Sequence, residues 1–281
     1  MSTAWAAALA LVGFAANSLL CRAAIGGGLI DPPAFTLLRM ASGAAVLLVL
    51  ARGRTLRRDW LSALALSAYA VAFAFAYLRL SAGTGALLLF GSVQLTMMAV
   101  ALARGERPGA LAWVGYALAL GGLLWLVAPG VRAPEPFAAV LMVIAGAAWA
   151  AYTLRGRGSV DPLADTAGNF VHAVPFALAA MLVPGPRHFT WPGLGLALAS
   201  GALASGIGYA WWYRALPKLS RARAATLQLA APALAALGGV AFLGETATAR
   251  LAVAAALVLG GIGISVLAGS VQVRGLMARE P

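Results

Sequence analysis

The chain has 281 residues, of which 62% are hydrophobic and only 10% charged, with a formal net charge of +12. Soluble domains carry about 25% charged residues to stay dispersed, so this composition excludes a soluble globular protein and implies an integral membrane protein. A single cysteine, Cys21, excludes an internal disulfide and reads as a packed, inert thiol.

Ten apolar runs are long enough to cross a hydrocarbon core of about 30 Å as helices. The first, 3–25, carries Asn17 in its interior and Cys21 and Arg22 after it. No basic residue precedes that run, so the helix is expected to be retained rather than cleaved. The second, 34–51, holds Arg39, whose guanidinium snorkels to the outer interface, bonds carbonyls, faces inward toward a carboxylate, or serves a substrate. The third, 60–79, places Tyr77 near its end, and the fourth, 83–103, has Gln94 at mid-helix beside Ser92 and Thr96. After the fifth, 110–128, a Pro/Gly-rich stretch at 129–136 marks a boundary between a unit at 1–130 and another at 131–281.

The sixth run, 137–154, sets Trp149 well inside the span and Tyr152 near its end. In the seventh, 163–183, Asp165, Asn169 and His172 share one helical face, which lines either a wet cavity or a helix–helix hydrogen-bond seam. Pro175 cannot bond the Val171 carbonyl and predicts a kink or hinge there. In the eighth, 193–212, Ser205, Tyr209 and Trp212 share a face. In the ninth, 224–243, Pro232 frees the carbonyl of Gln228 and predicts a second hinge. The tenth is 250–268. None of these runs alternates, so a β-barrel is excluded.

Basic residues concentrate in the loops at 52–58, 104–107, 155–157 and 214–223 and in the tail at 274–279. The positive-inside rule then puts both termini in the cytoplasm. Charge scattered over these loops forms no nucleic-acid surface. The acidic residues Asp31, Asp59, Glu106, Glu135, Asp161, Asp165, Glu245 and Glu280 all lie at span ends or in loops. Without a mid-membrane carboxylate, coupling to a proton gradient is expected to be weak or absent, and a strongly cationic substrate is disfavoured. His172 is the one mid-span group that could titrate near neutral pH.

The segment around Gly105-Glu106 recurs around Gly244-Glu245, each followed at the same distance by paired glycines, Gly121-Gly122 and Gly260-Gly261. Five spans separate corresponding points, so in a membrane the two copies are inverted. The expected fold is all-α integral membrane, ten transmembrane helices as two inverted five-helix repeats. Most glycines, these pairs included, read as helix-packing positions. No P-loop, HExxH, GxSxG or metal-spaced Cys/His cluster is present, so no catalytic residue, metal or cofactor is expected.

These residues resemble the drug/metabolite transporter superfamily, in particular its EamA-type exporters. The resemblance rests on Pro232…Phe242-Leu-Gly-Glu245…Gly260-Gly261, a weaker copy at Ala103-Arg-Gly-Glu106…Gly121-Gly122, the Arg-bearing Phe35-Thr-Leu-Leu-Arg39, and Gly208-Tyr-Ala-Trp-Trp-Tyr-Arg-Ala-Leu216. The chain departs from the pattern at Ser92-Val93-Gln94, where Pro is common, and in lacking an Arg39 equivalent on the seventh span. The resemblance implies a bacterial exporter of aromatic and other neutral amino acids working by alternating access. Its expected partners are a small-molecule substrate and the lipid bilayer, with oligomeric state left open, a monomer included. The candidate cavity comprises Asn17, Arg39, Tyr77, Gln94, Trp149, Tyr152, Asn169, His172, Tyr209, Trp212 and Gln228. Export of organic cations, nucleobases or sugars is the alternative, and a membrane scaffold or lipid-modifying enzyme is the alternative of another class.

Overall fold

The computed structural model describes residues 2–130, 133–215, 218–219 and 227–277, with side chains described up to residue 268. Ten helices run through the described residues: α1 (Thr3–Cys21, extended by a π turn Arg22–Gly26), α2 (Pro32–Leu50), α3 (Trp60–Ala76), α4 (Ala82–Ala103) and α5 (Ala110–Val127). They continue as α6 (Pro136–Arg155), α7 (Pro162–Ala179), α8 (Trp191–Ala215), α9 (Ala230–Leu243) and α10 (Ala249–Met277). Seven of the described helices are long and apolar enough to cross a membrane, and α3 and α9 are shorter apolar helices. The outward faces carry exposed Leu48, Val49, Leu111, Leu124, Phe137 and Val140, side chains suited to lipid. The protein is a multi-pass membrane protein.

The acidic residues mostly begin helices. Asp31, Asp59, Glu135 and Asp161 cap α2, α3, α6 and α7, each accepting a hydrogen bond from a first-turn backbone N–H. A carboxylate there satisfies orphan donors and opposes the positive end of the helix dipole. Proline in the first turn of α2, α6 and α7 sharpens these starts, because its missing N–H would have no partner anyway. Glu245 does the same for α4 from a distant loop, both carboxylate oxygens lying 2.9 Å from the Ala82 nitrogen. The recurring Gly-Glu segments share a backbone role: Gly105 (φ 84°) and Gly244 (φ 64°) are both left-handed at a helix C-terminus.

Three boundaries differ from the sequence expectation. Helix α3 stops at Ala76, because the short link to α4 must turn before the Ser81 cap. Helix α9 begins at Ala230 after a break at Leu229, so Pro232 lies in its first turn rather than at a mid-helix kink. Residues 224–226 of the expected ninth span lie outside the described residues. Helix α10 runs to Met277, well past 268.

Helix α1 packs on α8 and α9, α2 on α7 and α8, α3 on α6 and α7, and α4 on α6 and α9. The α5–α10 seam is a close backbone approach: a Cβ on Gly115 or Gly261 would overlap the other's carbonyl oxygen. Gly122 meets Leu257 and Val258 in the same seam, whereas Gly121 and Gly260 face open space. The packing role expected for both pairs therefore holds for only one glycine of each, because adjacent helical residues point about 100° apart.

The two ends of the bundle are tied differently. At the basic end, Arg54 pairs with Asp161 and Arg155 with Asp59, both at 2.8 Å. At the opposite end Arg22 pairs with Glu245 at 3.3 Å, Arg187 with Asp31 at 3.6 Å, and Ile30 forms a β-bridge with Phe189. Partial desolvation pushes the Asp59 carboxyl upward, but hydrogen bonds from Ser62 and Arg155 outweigh it and hold the pKa at about 2. A depressed carboxyl contributes stability that is complete above the unfolded-state pKa of about 4 and lost as pH falls through the folded value. Asp59→Asn should therefore lower the melting temperature of the detergent-solubilised protein at pH 7. The gap to the unsubstituted protein should close between about pH 4 and pH 2, and a gap constant over that window would remove Asp59 as its source.

Candidate functional site

Arg39 lies seven residues into α2, about 10 Å along the helix axis, and is 1% exposed. It does not snorkel. Its Nε donates to Ser205 Oγ at 3.3 Å and its Nη2 to the Tyr69 hydroxyl at 3.1 Å. The Tyr69 and Phe73 rings flank it, with centroids 5.2 and 5.3 Å from Cζ, close enough for cation–π attraction. None of the four ion pairs among the described residues includes Arg39. A guanidinium buried without a carboxylate costs several kcal/mol of desolvation, offset among the described residues by hydroxyls and ring faces.

A polar chain extends from this charge across four helices. Asn17 on α1 donates from Nδ2 to the Tyr69 hydroxyl at 3.2 Å and accepts at Oδ1 from Ser200 Oγ at 2.7 Å. Ser200 and Ser205 belong to a π-helical stretch of α8, Ser200–Ile207. Looser winding brings residues five apart nearer one face, and such π segments concentrate at functional sites. The small-residue composition also lets α8 reach α2: a Cβ on Gly201 would overlap the Arg39 carbonyl oxygen and Ser42 Oγ.

Aromatic rings close the other side. Trp149 on α6 stacks on Tyr209 of α8 (5.6 Å, 16° between planes) and packs on Tyr69 at 4.8 Å and Tyr152 at 5.4 Å. Tyr209 further meets Phe14 and Phe170, and Phe14 meets Trp212. Ser205, Tyr209 and Trp212 thus share an inward face.

Of the remaining expected residues, Asn169 adjoins the aromatic wall at Tyr152 and the others lie elsewhere. Tyr77 packs edge-on against Phe73 and donates to the Ala82 carbonyl, near the Arg22–Glu245 junction. The Asp165–Asn169–His172 stripe divides: Asp165 accepts from Ser159, Asn169 is buried beside the Tyr152 side chain, and His172 bonds the Gly168 carbonyl through Nδ1. The His172 ring rests edge-on against Trp60 at 4.6 Å, and no described contact joins it to Arg39. Gln94 is half-buried on α4 and Gln228 half-buried just before α9, without a described contact to the cluster. Pro175 lies exposed within α7, which continues through it to Ala179, and Pro232 is buried at the start of α9. Tyr69, Phe73, Ser200 and Phe14 were not singled out from the sequence. The spacing of Tyr69, Phe73 and Tyr77, four residues apart on one helix face, was the signal for the first two.

Residues 136–267 match the EamA-like transporter family. The threonine/homoserine exporter RhtA of Escherichia coli strain K12 is 32% identical over 78% of this chain and 77% of its own. The chain belongs to the EamA-like transporter family. An uncharacterized protein of Pseudomonas aeruginosa is 51% identical over 91% of both chains, and the transporter YwfM of Bacillus subtilis is 29% identical over 76% of this chain and 77% of its own. A solved crystal structure matches the fold with TM-score 0.67 at 22% identity, covering 95% of this chain and 99% of that one.

Within this EamA-like chain the approach of α8 to α2 sets the Arg39 site. Gly201→Val should force the two backbones apart and destabilise by about 1–3 kcal/mol, seen as a lowered melting temperature and poor recovery of monodisperse protein. An unchanged melting curve would show that the contact is dispensable.

Proposed function

We propose that this chain exports small amphipathic metabolites, aromatic and other neutral amino acids foremost, and is not an enzyme. One observation carries the reading: a buried guanidinium with no acidic partner among the described residues, set beside an aromatic wall. A substrate carboxylate supplies the missing countercharge, and Trp149, Tyr209 and Tyr69 offer ring faces to its side chain and ammonium group. The same charge repels an organic cation, which disfavours the alternative cargo. The exporter RhtA is named for threonine and homoserine, which carry the same α-amino acid head group.

Transport proceeds by alternating access of two inverted halves, 1–130 and 131–281. Contacts between helices five apart in the chain, α2 with α7, α4 with α9 and α5 with α10, support this pseudo-symmetric arrangement. The rings around Trp149 touch one another, so they must part to admit substrate. The basic end faces the cytoplasm of a bacterial-type inner membrane, as its arginines resist translocation.

In proteoliposomes, labelled phenylalanine and threonine should both be transported, and Arg39→Gln should reduce both by about tenfold or more, the loss expected from one charged hydrogen-bonded contact. Trp149→Ala should weaken phenylalanine more than threonine, since stacking area is what it removes. Equal losses at normal protein level would take Trp149 out of the binding site. For orientation, Arg57→Cys and Arg155→Cys in a Cys21→Ser background should resist an impermeant thiol reagent applied to intact cells. Strong labelling of both would reverse the topology.

A further inference from the structure

The Tyr69 hydroxyl is used in an unusual way. Its oxygen lies 3.1 Å from Arg39 Nη2 and 3.2 Å from Asn17 Nδ2, and both of those groups donate to it. A phenolic oxygen offers two lone pairs and one proton. Both lone pairs are therefore engaged, and the hydroxyl proton has no acceptor among the described hydrogen bonds. Arg39 is in the same position: Nε and one Nη2 proton are used, and the rest of its five-donor fork has no described acceptor. Two neighbouring groups, one charged and one neutral, thus hold unspent donors at the buried centre.

We propose that Tyr69 is a specificity-determining residue. Its O–H and the Arg39 guanidinium form a two-donor clamp that selects substrates carrying a carboxylate. Heavy atoms 3.1 Å apart suit the two oxygens of one carboxylate, one taken by the guanidinium and one by the phenol, as in charge-assisted pairs. Asn17, itself held by Ser200, acts as a positioning residue by occupying a Tyr69 lone pair and so directing the O–H away from α1. Trp149, 4.8 Å from the Tyr69 ring, places the aromatic wall beside the clamp, where the substrate side chain would lie. The inference rests on the export reading and adds which atoms recognise the substrate class.

The test compares phenylalanine with phenylalaninol, which keeps the ring and the ammonium group but lacks the carboxylate. Purified protein is reconstituted in proteoliposomes and KM is measured for each by counterflow. The unsubstituted protein should prefer the acid, and Tyr69→Phe should reduce that preference by about tenfold, because one hydrogen bond to a charged group is lost. A role confined to packing or folding lowers transport of both compounds alike and leaves the ratio unmoved. Phenylalanine transport with an unchanged ratio in Tyr69→Phe overturns the clamp while leaving the export reading intact. An unsubstituted protein that carries neither phenylalanine nor threonine overturns both. Where Tyr69→Phe does not yield folded protein, Asn17→Ala decides: a preference weakened about threefold, the effect of one neutral hydrogen bond, supports the clamp, and an unchanged preference overturns it.

Discussion

A charge inside a lipid-embedded bundle must be matched, and the way this chain allocates its carboxylates governs much of its architecture. Of the acids in the described residues, Asp31, Asp59, Glu135 and Asp161 each hold the first turn of their own helix, and Glu245 holds that of α4. Those positions are at the ends of the bundle, where water shares the burden of solvating them. The centre is left with Arg39 and with hydroxyls, amides and ring faces. Such groups stabilise a guanidinium without neutralising it, so a strong electrostatic preference for an anion persists there.

Keeping that charge buried demands close packing, and small residues supply it. With Gly201 at the contact, α8 approaches the carbonyl of Arg39 directly, while the π stretch turns Ser200 and Ser205 toward the same interior. The α5–α10 seam uses Gly115 and Gly261 in a comparable way, with the buried Ser265 hydroxyl beside Gly115 donating to the Ile262 carbonyl of its own helix. Glycine-rich packing therefore serves two ends in one molecule, a helix–helix scaffold and a charged centre, distinguished by the guanidinium that Ser205 and Tyr69 hold at the second.

Much of the fold was legible because an apolar run of helical length has few other outcomes in a chain this poor in charge. The boundaries that moved did so for local reasons: the cap at Ser81 shortened α3, and the break at Leu229 delayed α9. The centre of the site was legible in part. Asn17, Arg39, Trp149 and Tyr209 stand out because polar or bulky groups inside an apolar run need a partner. Tyr69 did not, since a tyrosine among alanines and phenylalanines reads as packing until its hydroxyl is placed. Ser200 was hidden more deeply: α-helical spacing sets it about 140° from Ser205, and only the π winding reconciles them. For His172, Gln94 and Gln228 a sequence gives the face but not what that face meets, and Trp60 is what His172 meets.

The Glu245 carboxylate gathers three strands of the architecture at one point: the α9–α10 link, the start of α4 through Ala82, and α1 through Arg22, which also donates to the Tyr77 carbonyl. All the groups involved sit where helices end, within reach of interfacial water. If α1 and α4 part from the α9–α10 link at this end, each donor and acceptor exchanges a protein partner for a solvent one, and none is stranded in hydrocarbon. Such an exchange leaves the hydrogen-bond count nearly unchanged, so the enthalpic barrier to parting here is small compared with parting the α5–α10 seam. The junction at Glu245 is thus a seal that water can enter, in contrast with the glycine-packed seam of α5 and α10.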